Sequence, residues 1–170
     1  MEWTRRDMFG AVGIAAGSCL LSSCARQEIK TVQPAKSPAV FPWPYHELDP
    51  EATAERAYLL HYEGHCMYGV FTSIVGQLAE QYGEPYESFP FKMMSYGAGG
   101  VASWGSLCGA LNGAAAAIAL FASSKEQQGR LTGQILLWHE QNELPTYVPV
   151  RPKLNVRIPG SIAHSVLCHP

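Results

Sequence analysis

Apolar residues recur at helical spacing in several stretches of the chain, and glycine or proline marks the breaks between them. Asp49-Pro50-Glu51 sets the first helix start: the aspartate serves as N-cap, and proline follows where its missing donor costs nothing. The pattern predicts a helix from about 50 to 62. After Gly64 it predicts a second, from about 65 to 82, that stops at Gly83 with Pro85 beyond. Along that second helix Cys66, Val70, Ile74 and Leu78 fall on every fourth position and so share one face. A loop over Pro85–Pro90 and a short helical piece at Phe91–Met94 follow. The Ala-rich run 107–122 then carries Cys108, Leu111, Ala115 and Ile118 on one stripe, with Gly109 and Gly113 as points of close helix contact. Residues 125–142 start polar and bring in Leu131, Ile135, Leu136 and Trp138, a further amphipathic helix. Pro145 to Pro159 breaks this rhythm and must be extended, wrapping the bundle or adding one short strand. The expected fold class is all-α: a small helical bundle over 49–143 followed by an extended C-terminal arm over 144–170.

What precedes the bundle is different in kind. Arg5-Arg6 stand before an apolar, Gly- and Ala-rich stretch from Met8 to Leu21 that is too short to span a bilayer comfortably. Thr4-Arg5-Arg6-Asp7-Met8-Phe9 fits the twin-arginine export pattern. Leu21-Ser22-Ser23-Cys24 closes the segment as a lipoprotein-type box, which makes Cys24 the expected lipidation site. Cleavage by an ordinary signal peptidase, or retention of the segment as an anchor, is the competing outcome. A linker over 25–48, interrupted by Pro34, Pro38, Pro42 and Pro44, reads as a tether. The expected location is the periplasm, on a membrane anchor if Cys24 is lipidated, and the twin-arginine translocase is the expected partner in export.

Composition narrows the function. The 170 residues are 47% hydrophobic and 15% charged, with a formal net charge of −2, so there is a core for one domain and no basic field for a phosphate backbone. Nucleic acid is excluded as a partner. The five cysteines lack the dense spacing of a disulfide-stapled miniprotein. With Cys19 and Cys24 assigned to the signal, Cys66, Cys108 and Cys168 remain for chemistry. Cys66 and Cys108 each open an apolar helical run, where the helix dipole favours thiolate, the form that binds metals and attacks disulfides. Cys66 is equally explained as a small core hydrophobe, and a tight helix contact explains the residues around Cys108 as well.

His61 and His65 lie four apart, which on a continuous helix places both imidazoles on one face beside Cys66. No second pair completes four ligands, and two partly exposed histidines near a helix junction are the favoured reading. Other motifs fail. Gly97-Ala98-Gly99-Gly100-Val101-Ala102 matches a dinucleotide fingerprint in letters but follows no strand, and Ser106-Leu107 stands where a P-loop needs Lys-Ser/Thr. His139-Glu140 begins a zinc-protease motif that Glu143 breaks. Ser165-Val166-Leu167-Cys168-His169 has serine where a haem site has its first cysteine, and no CxxCH occurs, so covalent c-type haem is not supported.

The segments GHCMYGVF and YGAGGVASWGSLCGALNGA, with PYESFPFKMMSYG between them, resemble the C_GCAxxG_C_C family of redox-active proteins, in its split-Soret cytochrome c-like branch. The resemblance covers about 50–168, and Cys-Gly-Ala-Leu-Asn-Gly is its most specific part. It implies an exported, mainly helical electron carrier rather than an enzyme, with Cys66, Cys108 and Cys168 at the family's cysteine positions and an iron-sulfur or other metal centre as the cofactor. Three cysteines leave a place for His61, His65, His169 or a second subunit of a homodimer. Relatives continue beyond such a Leu-Cys-His segment with further cysteine, so the chain is expected to be a truncated member. The resemblance leaves the periplasmic electron donor or acceptor unnamed. Two other functions compete: a metal-free thiol-disulfide protein, and a non-catalytic exported bundle.

Overall fold

The structure, a computed structural model, describes residues 40–156 and 158–168. Arg5, Arg6, Cys24 and His169 lie outside the described residues, as does most of the expected linker.

Helix α1 spans Pro50–Tyr82 and contains a reversal. Asp49 caps it as expected, its Oδ1 accepting from the Ala52 amide at 2.7 Å. Gly64 (φ −144, ψ 16) and His65 (φ 68, ψ −169) leave the helical region. The two arms on either side fold against each other as an antiparallel hairpin. Contacts far apart in sequence show this: Gln77 Nε2 donates to Thr53 Oγ1 at 2.9 Å, and Arg56 Nη1 holds Glu80 Oε2 at 2.7 Å. A Cβ on Gly69 would lie 2.9 Å from the Ala57 carbonyl oxygen, so glycine is what lets the arms approach. The second arm ends at Gly83 (φ 69), whose amide donates to Ala79 O at 2.9 Å.

A 3-10 helix over Phe91–Gly97 and helices α2 (Gly109–Phe121) and α3 (Lys125–Gln141) complete the helical part. Helix α2 opens with Cys108 as its N-cap residue, two positions after the expected start, and α3 is capped by Ser124, whose side chain accepts from Gln127 N. Met67, Phe71, Val75 and Leu78 of the second arm form the core with Ala117 and Leu120 of α2 and with Trp43, Tyr86 and Met94. The predicted Cys66-Val70-Ile74 stripe is only half-buried, because the core lies one residue further round the helix. Gly113 packs directly on that face, since a Cβ there would lie 2.7 Å from the Met67 carbonyl oxygen. Helix α3 touches α2 alone among the helices, and none of its residues is buried.

The end of the expected linker, residues 40–48, is packed chain before α1, while residues 25–39 lie outside the described residues. Trp43 is 6% exposed and donates its amide to Leu120 O at 2.8 Å, and Pro44 O accepts from the Tyr86 hydroxyl at 2.5 Å. Prolines prevent helix without preventing burial, and the aromatic residues between them supply the apolar surface. The C-terminal arm is extended as expected. It is closed by reciprocal backbone bonds between Leu144 and Ser161, both 2.9 Å, and it is tied to the first arm where Lys153 N donates to Tyr58 Oη at 2.6 Å. The Tyr147 hydroxyl binds the Glu55 carboxylate there, which pushes its pKa up to about 12. No helix among the described residues is long and apolar enough to cross a membrane.

Candidate metal centre

Three chain reversals bring three sulfurs to one end of α2. The α1 reversal at His65 starts the second arm at Cys66, so Cys66 and Cys108 both stand where a helix begins. A Cβ on Gly109 would strike Cys66 Sγ and would lie 2.5 Å from Gly97 O. Position 109 therefore has to be glycine for the two helix starts to meet. The Cys66 thiol donates weakly to that same Gly97 carbonyl at 3.9 Å.

Between Gly97 and Cys108 the backbone makes a left-handed turn: Gly99, Gly100, Val101, Ala102 and Ser103 have φ of 58, 68, 57, 50 and 64. Three of these are L-residues, each strained by about 1–2 kcal/mol, with β-branched Val101 the most unusual. The turn is held by Ser103 N to Ala98 O (2.9 Å), Gly105 N to Gly99 O (3.0 Å) and Ser106 N to Gly100 O (3.1 Å). Strain of this kind persists only where the surroundings over-determine it. Here the C-terminal arm does so.

That arm returns antiparallel to Ser106–Cys108. Cys108 N donates to Val166 O at 2.8 Å and Cys168 N to Ser106 O at 2.7 Å, on either side of the Leu107–Leu167 bridge. The register puts Cys108 and Cys168 on the same side, as diagonal neighbours. A Cβ on Gly100 would come within 2.8 Å of Cys168 Cβ, so the turn and the arm meet without a gap. Burial pushes the Cys168 thiol above its ordinary pKa, Cys108 and then Cys66 add to this, and the Gly109 amide opposes it. All three cysteines are free and half-buried.

The structure thus gathers Cys66, Cys108 and Cys168 around one glycine-lined point. His169 lies outside the described residues. His61 lies in the first arm and His65 in the reversal itself, so the two do not share one continuous helix face, and both are exposed. Their rings meet edge-on at 6.2 Å, and partial desolvation followed by the His65 charge lowers the His61 pKa. Among the described residues, no three of His, Cys, Asp and Glu form a ready coordination shell. The sulfurs are close enough for their charges to interact, but they are not drawn to bonding distance. The residues that sequence reasoning missed are Val101–Ser103, for which no glycine or asparagine signalled a left-handed backbone.

A family described as "Putative redox-active protein (C_GCAxxG_C_C)" matches residues 68–169. The chain belongs to this family. The match includes Cys108 and Cys168, while Cys66 lies two residues before it. The pattern in the family's name has four cysteines, and the described residues supply three. The chain is 38% identical to split-Soret cytochrome c of Desulfovibrio desulfuricans over 181 aligned residues, covering 99% of this chain and 64% of that protein. A solved structure of the split-Soret cytochrome c from D. desulfuricans ATCC 27774, described as holding a novel iron centre, superposes with a TM-score of 0.70 at 41% identity. That superposition covers 75% of this chain and 54% of the other, so this chain spans little more than half of the solved relative. It shares the relative's helical fold.

Proposed function

We propose that this is an exported electron-transfer protein in which Cys66, Cys108 and Cys168 hold an iron centre. The carrying observation is the convergence of the three sulfurs at the start of α2, across a cradle that Gly100 and Gly109 keep clear of side chains. The donor set suits iron: thiolates are its ligands in iron-sulfur sites, and such sites take four of them. Three cysteines leave one position for His169, a sulfide or a partner's ligand. The iron centre described for the related cytochrome supports the same reading, with an iron-sulfur cluster as its specific form.

The bound iron would supply one-electron chemistry. The chain itself supplies the sulfurs, the Gly109 amide aimed at the Cys168 sulfur, and a strained turn clamped over the site by the C-terminal arm. Burial first, and then the neighbouring thiolates, lift the Cys168 pKa, and a bound cation would offset both. Closing the shell requires that the sulfurs move inward and that a fourth ligand join them.

A metal-free disulfide carrier is less well supported. Diagonal neighbours on antiparallel strands stand about 7–8 Å apart, whereas a disulfide needs Cα atoms within about 7 Å, so a Cys108–Cys168 bond would displace the arm. The proposal includes export on the Arg5-Arg6 signal to the periplasm, with Cys24 as the lipid anchor and a periplasmic redox partner. Anaerobic purification with iron and sulfide analysis tests the centre. Changing Arg5 and Arg6 to lysine tests the route, the expected outcome being precursor retained in the cytoplasm.

A further inference from the structure

The two arms of α1, α2 and α3 line a cleft of about 730 Å³ that the side chains of the described residues do not fill. Ala54 and Ala57 wall it from the first arm, Val70 and Ile74 from the second, Ala114 and Ala117 from α2, and Leu131 and Ile135 from α3. This volume lies within the range of small-molecule sites, about 300–1,000 Å³, and far exceeds the packing voids of a bundle interior. It accounts for α3: the helix is capped and amphipathic, yet its inner residues Leu131 and Ile135 face the cleft rather than the first arm.

The lining chemistry selects the occupant. Among the described residues no charged side chain lines the cleft, so a carboxylate or phosphate finds no counter-charge from them. The Thr53 and Ser73 hydroxyls are committed, to Asp49 O at 2.7 Å and Val70 O at 2.8 Å. Gln127 Oε1 accepts from Ser123 N and Oγ, both at 2.7 Å, which leaves its amide N–H groups to donate. With the Tyr45 hydroxyl, these are the donors at the cleft wall. The ligand is therefore neutral and mainly apolar, and it carries carbonyl acceptors. Cys66, Val70 and Ile74 share one stripe of the second arm, so the cleft begins one helical turn, about 5.4 Å, from Cys66.

We propose that this cleft binds a quinone, whose two carbonyls on an apolar ring match the uncharged wall and its neutral donors. The choice of a quinone among neutral carbonyl compounds rests on the redox reading given above. The test is calorimetry of the full chain with duroquinone, whose fully methylated ring accepts no thiol. Durene, which lacks the carbonyls, and decanoate, which is charged, are the comparators. Duroquinone is expected to bind at one per chain and at least about tenfold more tightly than either comparator. Tyr45→Phe with Gln127→Ala should reduce it to the level of durene, and Ile135→Trp should fill the cleft and abolish binding while the helical circular dichroism is kept. No heat with duroquinone, equal binding by durene or decanoate, or unchanged binding in both variants overturns the proposal. The readout needs no metal. A protein that holds iron and ignores duroquinone fails this inference alone, whereas one that binds duroquinone and takes up no iron fails the redox reading alone.

Discussion

Helices α2 and α3 each carry two glycines, and the two pairs have opposite meanings. Gly109 and Gly113 of α2 lie against the second arm, where an added Cβ would strike Cys66 Sγ or come within 2.7 Å of the Met67 carbonyl. Gly129 and Gly133 of α3 have nothing within 4 Å of the same position. In α2 glycine permits the contact that assembles the sulfur site, and in α3 it only weakens a helix. The difference teaches that a small residue in a helix signals close approach only where a second helix lies on that face.

Substitutions at these positions are the most direct way to break the comparison. Gly113→Ala should destabilise by about 2–3 kcal/mol, because its methyl meets backbone rather than a flexible side chain. Gly133→Ala should instead stabilise by about 0.5–1 kcal/mol. Urea unfolding of both variants measures the pair, and equal signs would show that α3 is packed as tightly as α2.

Tyr86→Phe ranks next. The Tyr86 ring is 1% exposed and its hydroxyl donates to Pro44 O, so the change removes that hydrogen bond at a cost of about 1 kcal/mol. The loss should appear as a lower urea midpoint together with increased protease cutting before Asp49, since this bond anchors the chain that leads into α1. Unchanged cutting would mean that Trp43 alone holds the segment.

Smaller still is the Arg56–Glu80 pair that joins the two arms. The hydrogen bond to Arg56 holds the Glu80 carboxyl below the ordinary carboxylate range against the opposing effect of burial, and the Arg56 charge adds a smaller pull in the same direction as the hydrogen bond. A depressed folded-state pKa means that this stability is present above the unfolded value and is lost as pH falls through the folded one. Glu80 is largely exposed, so Glu80→Gln should cost less than about 1 kcal/mol near neutral pH and nothing once the wild-type carboxyl is protonated. A difference that persists in acid would assign the effect to packing.

The sequence made much of the fold legible because its signals were local. Asp49-Pro50, Gly83 and Ser124 mark helix ends by their own chemistry, and the break at Gly64 separates two helices that the structure folds back on each other. Burial was harder to read. The Ala-rich run of α2 and the Leu131-Ile135 stripe of α3 look alike as periodicity, and only the position of a neighbour separates core from cleft wall. At the site, the sequence placed Cys168 on the extended arm, and the structure returns that arm to the glycine turn. The left-handed backbone at Val101–Ser103 was not legible, because tertiary bonds from Ser106 and the C-terminal arm impose it against local preference.

The central claim is that three sulfurs meet to hold iron, and the most direct measurement is iron per chain after anaerobic loading, in the wild type and in Cys66→Ser, Cys108→Ser and Cys168→Ser. The account predicts stoichiometric iron with visible sulfur-to-iron absorption in the wild type, and loss of both in each variant. Wild-type protein that stays colourless with Cys66, Cys108 and Cys168 all titratable as thiols, or a variant at any one of the three positions that keeps full iron, would contradict it.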